Sequence, residues 1–261
     1  MMKRFLGIVV MAVLAAVMVF PPAAMAEEDT GPFALSNFSA SALIGTDYVF
    51  RGLSQTSENP TIQGSLDYAH PCGFYLGAWG SNVYKDVSDG GIELDYYAGW
   101  GKSWGGFGLD LMAVYYHYPG SLNGADVPNP NFFETHLGLS YTIEGGAVVP
   151  TFGVGWNWSP DFYGEDGKSN YLNFSVGLGL PYNFSVSGDA GYQDVKGDKL
   201  TGNGGGLDGK NGYDYWNWRI GVGYSVLGFD LDLSYHDTNE EEFLGVDNAD
   251  KRVVFSISRT F

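Results

Sequence analysis

The sequence has a single cysteine, Cys72, so no disulfide can form within the chain. Basic residues are also few: 13 Lys and Arg stand against 30 Asp and Glu, and the formal net charge is −17 at pH 7. There is no basic patch, no glycine-rich phosphate loop between a strand and a helix, and no Cys/His metal-ligand spacing. These absences argue against nucleic-acid binding and against any metal or other cofactor.

Long apolar runs are missing from all but the beginning of the chain. The one such run, residues 5–20, follows two basic residues and precedes a small-residue sequence at residues 24–26. This order predicts a secretory signal peptide, residues 1–26, cleaved after Ala26, with a retained membrane anchor as the alternative. We expect residues 27–261 to form one exported domain.

The rest of the chain alternates apolar and polar residues with a period of two, which predicts β-strands. The pattern starts in residues 38–50, where the even positions are mostly apolar, and recurs as far as residues 253–261. Short turns alternate with long loops between these segments. We therefore expect an all-β fold, a transmembrane antiparallel up-and-down β-barrel of about twelve strands, with short periplasmic turns and long extracellular loops.

Aromatic residues cluster where the predicted strands end, with aliphatic residues between them. Two aromatic belts around an apolar band suit a bilayer, whereas a soluble β-sandwich, which shares the period of two, has no need of them. The belts predict a position in the bacterial outer membrane, in contact with lipid and lipopolysaccharide. The long-loop belt comprises Tyr48, Phe50, Tyr84, Tyr115, Phe133, Trp156, Trp158, Trp216, Trp218 and Tyr235, and the short-turn belt Phe38, Tyr68, Phe74, Trp100, Phe107, Tyr141, Tyr224 and Phe229.

The chain ends on an aromatic residue, Phe261, preceded at two-residue steps by apolar Ile257, Phe255 and Val253. This ending resembles the carboxy-terminal signal that the barrel assembly machinery reads, and we expect Phe261 to act as that signal. Arg259 interrupts the apolar series. Its side chain can reach the periplasmic interface, where a charge on the lipid face costs only about 0–1 kcal/mol.

Four segments carry a family resemblance: TDYVFRGLSQT at residues 46–56, PTIQGSLDY at 60–68, GFYLGAWGSNV at 73–83 and ELDYYAGW at 93–100. They are similar to the TorF-type family of proteobacterial conserved hypothetical proteins, which are classed as porins. The resemblance extends to the FSISRTF ending at residues 255–261. It implies an outer-membrane barrel and a channel, and it implies no substrate and no catalytic residues.

Inward positions of the predicted strands carry mostly carboxylates, so we expect a negative lumen that favours small cationic or neutral polar solutes. The function predicted from this is a narrow porin-like channel with the loops as gates. Arg219 should form a salt bridge with Asp232, and Asp47 and Arg51 should face inward near the outer rim. The candidate pore-lining residues are Asp47, Arg51, Asp67, Glu93, Asp95, Asp110, Glu134, His136, Asp189, Arg219, Asp230 and Asp232.

Two other classes of function remain open. The first is a closed structural or surface-interaction barrel, in which inward polar groups satisfy one another and the long loops, residues 197–213 and 237–250, act like an adhesin or receptor. Those loops are rich in Asp, Asn and Gly but lack the twelve-residue calcium-binding pattern.

The second is an outer-membrane lipid hydrolase, which needs a nucleophile and a base facing lipid. Among the histidines that do not border a turn, only His117 has outward parity, and no serine lies near it to act as the nucleophile. We therefore predict no enzyme activity and no catalytic residues.

Overall fold

The computed structural model describes residues 31–122, 129–197, 212–240 and 247–261. The predicted signal peptide, residues 1–26, lies outside the described residues, as does most of the loop at residues 197–213. No helix in the described ranges is long and apolar enough to cross a membrane.

Nearly all of the regular structure is β-strand. In the described residues, three short 3₁₀ helices accompany the strands, at Leu35–Asn37, Tyr163–Glu165 and Pro181–Asn183. The strands are β1 (Phe38–Gly45), β2 (Val49–Phe50), β3 (Leu53–Ser54), β4 (Thr61–Ala69), β5 (Phe74–Asn82), β6 (Ile92–Trp104), β7 (Phe107–His117), β8 (Phe132–Thr142), β9 (Val149–Ser159), β10 (Ser169–Gly179), β11 (Phe184–Val195), β12 (Tyr213–Val226), β13 (Phe229–Thr238) and β14 (Arg252–Thr260).

Twelve of these strands form one closed antiparallel barrel, which confirms the predicted fold class. From β4 to β14 each strand pairs with the next, and β1 pairs with both β4 and β14 to close the ring. The pairing of β1 with β14, which we call the seam, extends to the last residue of the sequence, because the Phe261 amide donates to the Ala40 carbonyl at 2.8 Å. Strands β2 and β3 are not part of the ring and form a small sheet of their own.

The two faces of the barrel wall differ as the alternation predicts. In β4, Ile62 and Leu66 are each 69% exposed on the outside, whereas Thr61 and Gln63 are buried inside. A soluble protein would place these apolar side chains inward. Apolar residues outside and polar residues inside are the arrangement of a barrel that contacts lipid.

The short connections all lie at one end of the barrel, which we call the short-turn end. Residues 105–106 join β6 to β7 there, and residues 227–228 join β12 to β13. Phe38, at the start of β1, lies opposite Tyr68 at this end, and Phe261 lies next to it. Both ends of the barrel sequence are therefore at the short-turn end, and the longer connections are at the other.

The first strand is shorter than the sequence predicts. It ends at Gly45 rather than Phe50, and residues 47–56 turn back into the barrel, where β2 and β3 form what we call the inner hairpin. The placement of Tyr48 and Phe50 in the outer aromatic belt is therefore wrong: Tyr48 is 3% exposed inside the barrel, and Phe50 packs against the same core. The alternation of residues 38–50 continues through the hairpin, so the pattern does not show where the chain leaves the wall.

Candidate functional site

The apolar core of the described residues lies inside the barrel, at the long-loop end. It includes two residues of the inner hairpin, Tyr48 and Leu53, together with aromatic residues of the wall and loops. The Tyr48 ring meets Trp79 edge-on at 5.4 Å between centroids. The other buried members are Val83, Val114, Tyr116, Tyr118, Phe132, Phe162, Val195, Tyr213, Tyr215 and Ala249. The inner hairpin therefore fills this end of the lumen.

The tip of the inner hairpin is a two-residue turn that requires glycine. Arg51 and Gly52 have φ values of 49° and 84°, and positive φ at both central positions is characteristic of the type I′ turns that join β-hairpins. A Cβ atom on Gly52 would lie 2.5 Å from Cγ2 of Thr238 and 2.8 Å from Cβ of Asn217. Glycine permits both the backbone conformation and the close approach to the wall.

Arg51 reaches the wall opposite β1. Its guanidinium donates two hydrogen bonds to the Glu134 carboxylate, Nη2 to Oε2 at 2.7 Å and Nη1 to Oε1 at 3.1 Å. Nη1 also donates to the side-chain oxygen of Gln193 at 2.8 Å. Glu134 lies on β8 and Gln193 on β11, so one side chain of the hairpin binds two distant strands.

Aromatic rings complete the surroundings of the Arg51 guanidinium. Its Cζ lies 4.3 Å from the centroid of Tyr171, 4.6 Å from that of Phe50 and 5.8 Å from that of Phe162. Burial lowers the pKa of the guanidinium, but the Glu134 carboxylate raises it, and the net pKa lies above its ordinary value. Arg51 is therefore a permanent cation held in a desolvated, aromatic site.

The base of the inner hairpin is held by Asp47. Its Oδ1 accepts hydrogen bonds from Ser54 Oγ at 2.7 Å and Thr56 Oγ1 at 2.6 Å, and Arg252 Nη1 on β14 lies 3.4 Å from Oδ2. The Tyr48 hydroxyl donates to Glu93 at 3.3 Å. Asp47 therefore orders the hairpin rather than lying beside Arg51 on a wall strand.

The remaining candidate pore-lining residues fall into two groups. At the long-loop end, Glu93, Asp95, Glu134 and His136 are buried around the inner hairpin, and His136 contacts Asn157 at 3.0 Å. Towards the short-turn end the inward carboxylates are only partly buried. This second group, which we call the acidic vestibule, consists of Asp67, Asp110, Asp189, Asp230 and Asp232.

The predicted salt bridge between Arg219 and Asp232 is present. Arg219 Nη2 lies 2.7 Å from both carboxylate oxygens of Asp232, and Nη1 donates to Ser187 Oγ at 2.8 Å. In the strand register Arg219 lies opposite His236 rather than Asp232. The side chain therefore extends along the wall, and its guanidinium passes over Gly221, which has no Cβ to obstruct it.

Two tyrosines donate hydrogen bonds to carboxylates of the acidic vestibule. Tyr75 donates to Asp110 at 2.8 Å, and Tyr97 donates to Asp67. Their rings lie flat on the wall over glycines of neighbouring strands: a Cβ on Gly99 would lie 2.4 Å from the Tyr75 ring. Each hydroxyl therefore donates to an inward carboxylate, and each ring occupies the space beside a glycine of the neighbouring strand.

Sequence reasoning missed three residues that bind the inner hairpin: Gln193, Tyr171 and Arg252. Each has inward parity on its strand, which was the available signal. Nothing in the alternation indicates, however, that a loop segment fills the space they face.

Two further predicted features lie on the outside of the barrel. The His117 ring stacks on Tyr115 at 6.2 Å between centroids. The Arg259 guanidinium lies between the rings of Phe229 and Phe261, at 5.1 and 5.0 Å from their centroids, at the short-turn end. Within the described part of the chain, no group of three or more His, Cys, Asp or Glu residues is placed to hold a metal ion.

The described residues form a closed ring of twelve antiparallel strands with an apolar outer face, a fold that the chain shares with solved outer-membrane porins. The barrel is similar to the NanC porin, with a TM-score of 0.52 at 8% identity over 85% of this chain and 98% of that one. The KdgM porin gives 0.50 at 8% identity, with the same coverage of 85% and 98%. The chain belongs to the Gcw_chp family, described as a bacterial protein of unknown function, which matches residues 26–261. No curated protein matches the sequence.

Proposed function

We propose that the protein is a porin-like channel of the bacterial outer membrane that passes small cationic or neutral polar solutes. The observation that carries this proposal is the acidic vestibule, in which five carboxylates share the lumen with Arg219. A charged wall around a low-dielectric passage concentrates counter-ions and repels ions of its own sign. Acidic solutes and phosphates are therefore disfavoured.

The inner hairpin is the gate of this channel. It fills the long-loop end of the lumen, so passage requires it to move. Its attachments are the ion pair from Arg51 to Glu134, the contacts of Asp47 and main-chain bonds such as Ser54 N to Asn248 O at 2.8 Å. Apart from the chain connections to β1 and β4, these contacts are all non-covalent. The proposed channel is therefore closed in this conformation and opens when these contacts are exchanged for water.

The outward apolar face supports the proposed outer-membrane location, with lipid and lipopolysaccharide around the barrel and the barrel assembly machinery as the partner that inserts it. The resemblance of residues 46–100 to TorF-type porins supports the same class of function. That segment contains the inner hairpin, so the feature that closes the lumen lies in the part of the chain where the resemblance is most specific.

Recording from the refolded protein in planar bilayers under a salt gradient tests the proposal. We expect low conductance from the unaltered protein and a higher conductance from the Arg51→Ala variant. The sign of the reversal potential should show that cations are the more permeant ions. Absence of conductance from both proteins would refute the channel. Anion selectivity would refute the role of the acidic vestibule.

A closed barrel with a surface role is the second candidate, and one observation favours it. The inner hairpin is packed into the apolar core as well as bonded to the wall, with Tyr48, Leu53 and Arg51 all at most 9% exposed. In that case the hairpin is a permanent part of the barrel, and the long loops bind a partner. No current would then flow through Arg51→Ala, although the variant would still fold.

A further inference from the structure

The wall of the barrel around Arg51 has the chemistry of a site for a guanidinium group. Glu134 offers both carboxylate oxygens, Gln193 offers an amide oxygen, and Tyr171 offers the face of its ring. Phe162, from the loop between β9 and β10, contributes a second ring. All four belong to the wall or its loops and none to the inner hairpin, so none of them is carried away if the hairpin leaves.

Two groups of this site, Gln193 and Tyr171, are held by neighbours other than Arg51. Gln193 Nε2 donates to Ser169 Oγ at 2.6 Å, which turns the amide oxygen towards the lumen. The Tyr171 hydroxyl donates to the side-chain oxygen of Asn217 at 3.1 Å, which fixes the ring. Glu134 is 0% exposed, and both of its carboxylate oxygens face the Arg51 guanidinium. The site is therefore organised in advance for a planar cation.

We propose that this wall site recognises small solutes that carry a guanidinium group, and that Arg51 occupies it as a tethered internal ligand. The proposal rests on the proposed channel, in which the inner hairpin leaves the lumen. A guanidinium makes two parallel hydrogen bonds to one carboxylate and stacks on aromatic rings, whereas an ammonium group has neither the planar shape nor the fork of donors. The site should therefore distinguish the two kinds of cation.

Chemical rescue of the full chain tests the site. In the Arg51→Ala variant, methylguanidinium at millimolar concentration should bind saturably, measured by calorimetry in detergent, and should reduce the bilayer current. We expect methylammonium to bind at least about tenfold more weakly, because it cannot make the bidentate contact. Adding Glu134→Gln to Arg51→Ala should weaken methylguanidinium binding by at least about tenfold, because the carboxylate charge is lost.

The matched control is Arg219→Ala, which vacates another inward guanidinium site. Arg219 has a carboxylate partner in Asp232, but its contacts include no aromatic ring among the described residues, so methylguanidinium should bind this variant more weakly than Arg51→Ala. Equal binding of methylguanidinium and methylammonium to Arg51→Ala, or no effect of Glu134→Gln, would overturn the proposal.

Two further outcomes separate this site from the channel. Selective binding of methylguanidinium to Arg51→Ala without any bilayer current supports the site and removes the channel. Current without selective binding supports the channel and removes the site. If Arg51→Ala does not fold alone, the folded fraction is measured by heat-modifiable gel mobility after refolding with each cation. Rescue by methylguanidinium alone supports the site, and equal rescue by methylammonium overturns it.

Discussion

Arg51 and Glu134 lie 83 positions apart in the sequence and form a bidentate ion pair across the lumen, at 2.7 and 3.1 Å. Glu134 lies on β8, part of the wall opposite β1, from which the inner hairpin departs. Both side chains are buried, so neither charge is compensated by water. The pair therefore spans the lumen and fixes the inner hairpin to the wall.

Removing either member of this pair should destabilise the barrel, because the remaining charge stays buried without its partner. We expect Glu134→Ala and Arg51→Ala each to lower the free energy of unfolding by about 3–5 kcal/mol. The double variant should lose less than the sum of the two, because no unpaired charge remains. Urea unfolding of the refolded proteins measures all three. Additive losses would show that the two charges do not stabilise each other.

The strands were predictable because the two faces of the wall meet different surroundings, lipid outside and the lumen inside, and each favours a different kind of side chain. Lipid outside requires apolar side chains such as Ile62 and Leu66, and the lumen accepts Thr61 and Gln63 between them. Each strand reports this alternation in its own local sequence, and the pairing of neighbouring strands follows from the short turns. The ring of twelve strands therefore needed no information about distant contacts.

The inner hairpin could not be predicted in the same way. Its residues alternate as a wall strand does, and only long-range contacts, such as those from Arg51 to Gln193 and from Asp47 to Arg252, decide that it lies inside. One local signal exists: Arg51 and Gly52 form a two-residue turn before Leu53. The salt bridge between Arg219 and Asp232 was predictable because both residues flank one short turn.

Gly52→Ala should expel or distort the inner hairpin. A side chain in the left-handed region costs about 1–2 kcal/mol, and the collision with Thr238 adds the cost of overpacking, about 1–3 kcal/mol. Gly105→Ala is the matched control, because Gly105 also has a positive φ, 57°, but nothing lies within 4 Å of its Cβ position. We expect only Gly52→Ala to raise the bilayer conductance, and equal conductance of the two variants would contradict the gating role.

Neutralising the acidic vestibule should reduce the preference for cations. In the Asp67→Asn, Asp110→Asn double variant the reversal potential under a salt gradient should move towards zero, because two fixed negative charges are removed while the acceptors for Tyr97 and Tyr75 remain. The measurement uses the Arg51→Ala background, in which we expect the proposed channel to be open.

Glu144→Gln provides the control for this change, because Glu144 is exposed in the short turn between β8 and β9 and lies outside the lumen. It removes one negative charge without altering the vestibule, so the reversal potential should not move. A shift as large as that of the double variant would show that the whole surface charge, rather than the vestibule, sets the selectivity.

Phe261 should contribute to assembly and to stability through different parts of the residue. Its backbone exchanges hydrogen bonds with Ala40, amide to carbonyl at 2.8 Å and carbonyl to amide at 3.3 Å, and so protects the strand edges at the seam. The residue is 69% exposed, and its ring lies outside the barrel beside Arg259, where a partner can read it. We therefore expect Phe261→Ala to lower the folded fraction in cells, measured by heat-modifiable mobility, while unfolding of the purified barrel in urea stays unchanged.

Deletion of Phe261 should lower both the folded fraction in cells and the stability in urea, because the backbone bonds are lost as well. Assembly of Phe261→Ala at the level of the unaltered protein would show that the ring is not the assembly signal.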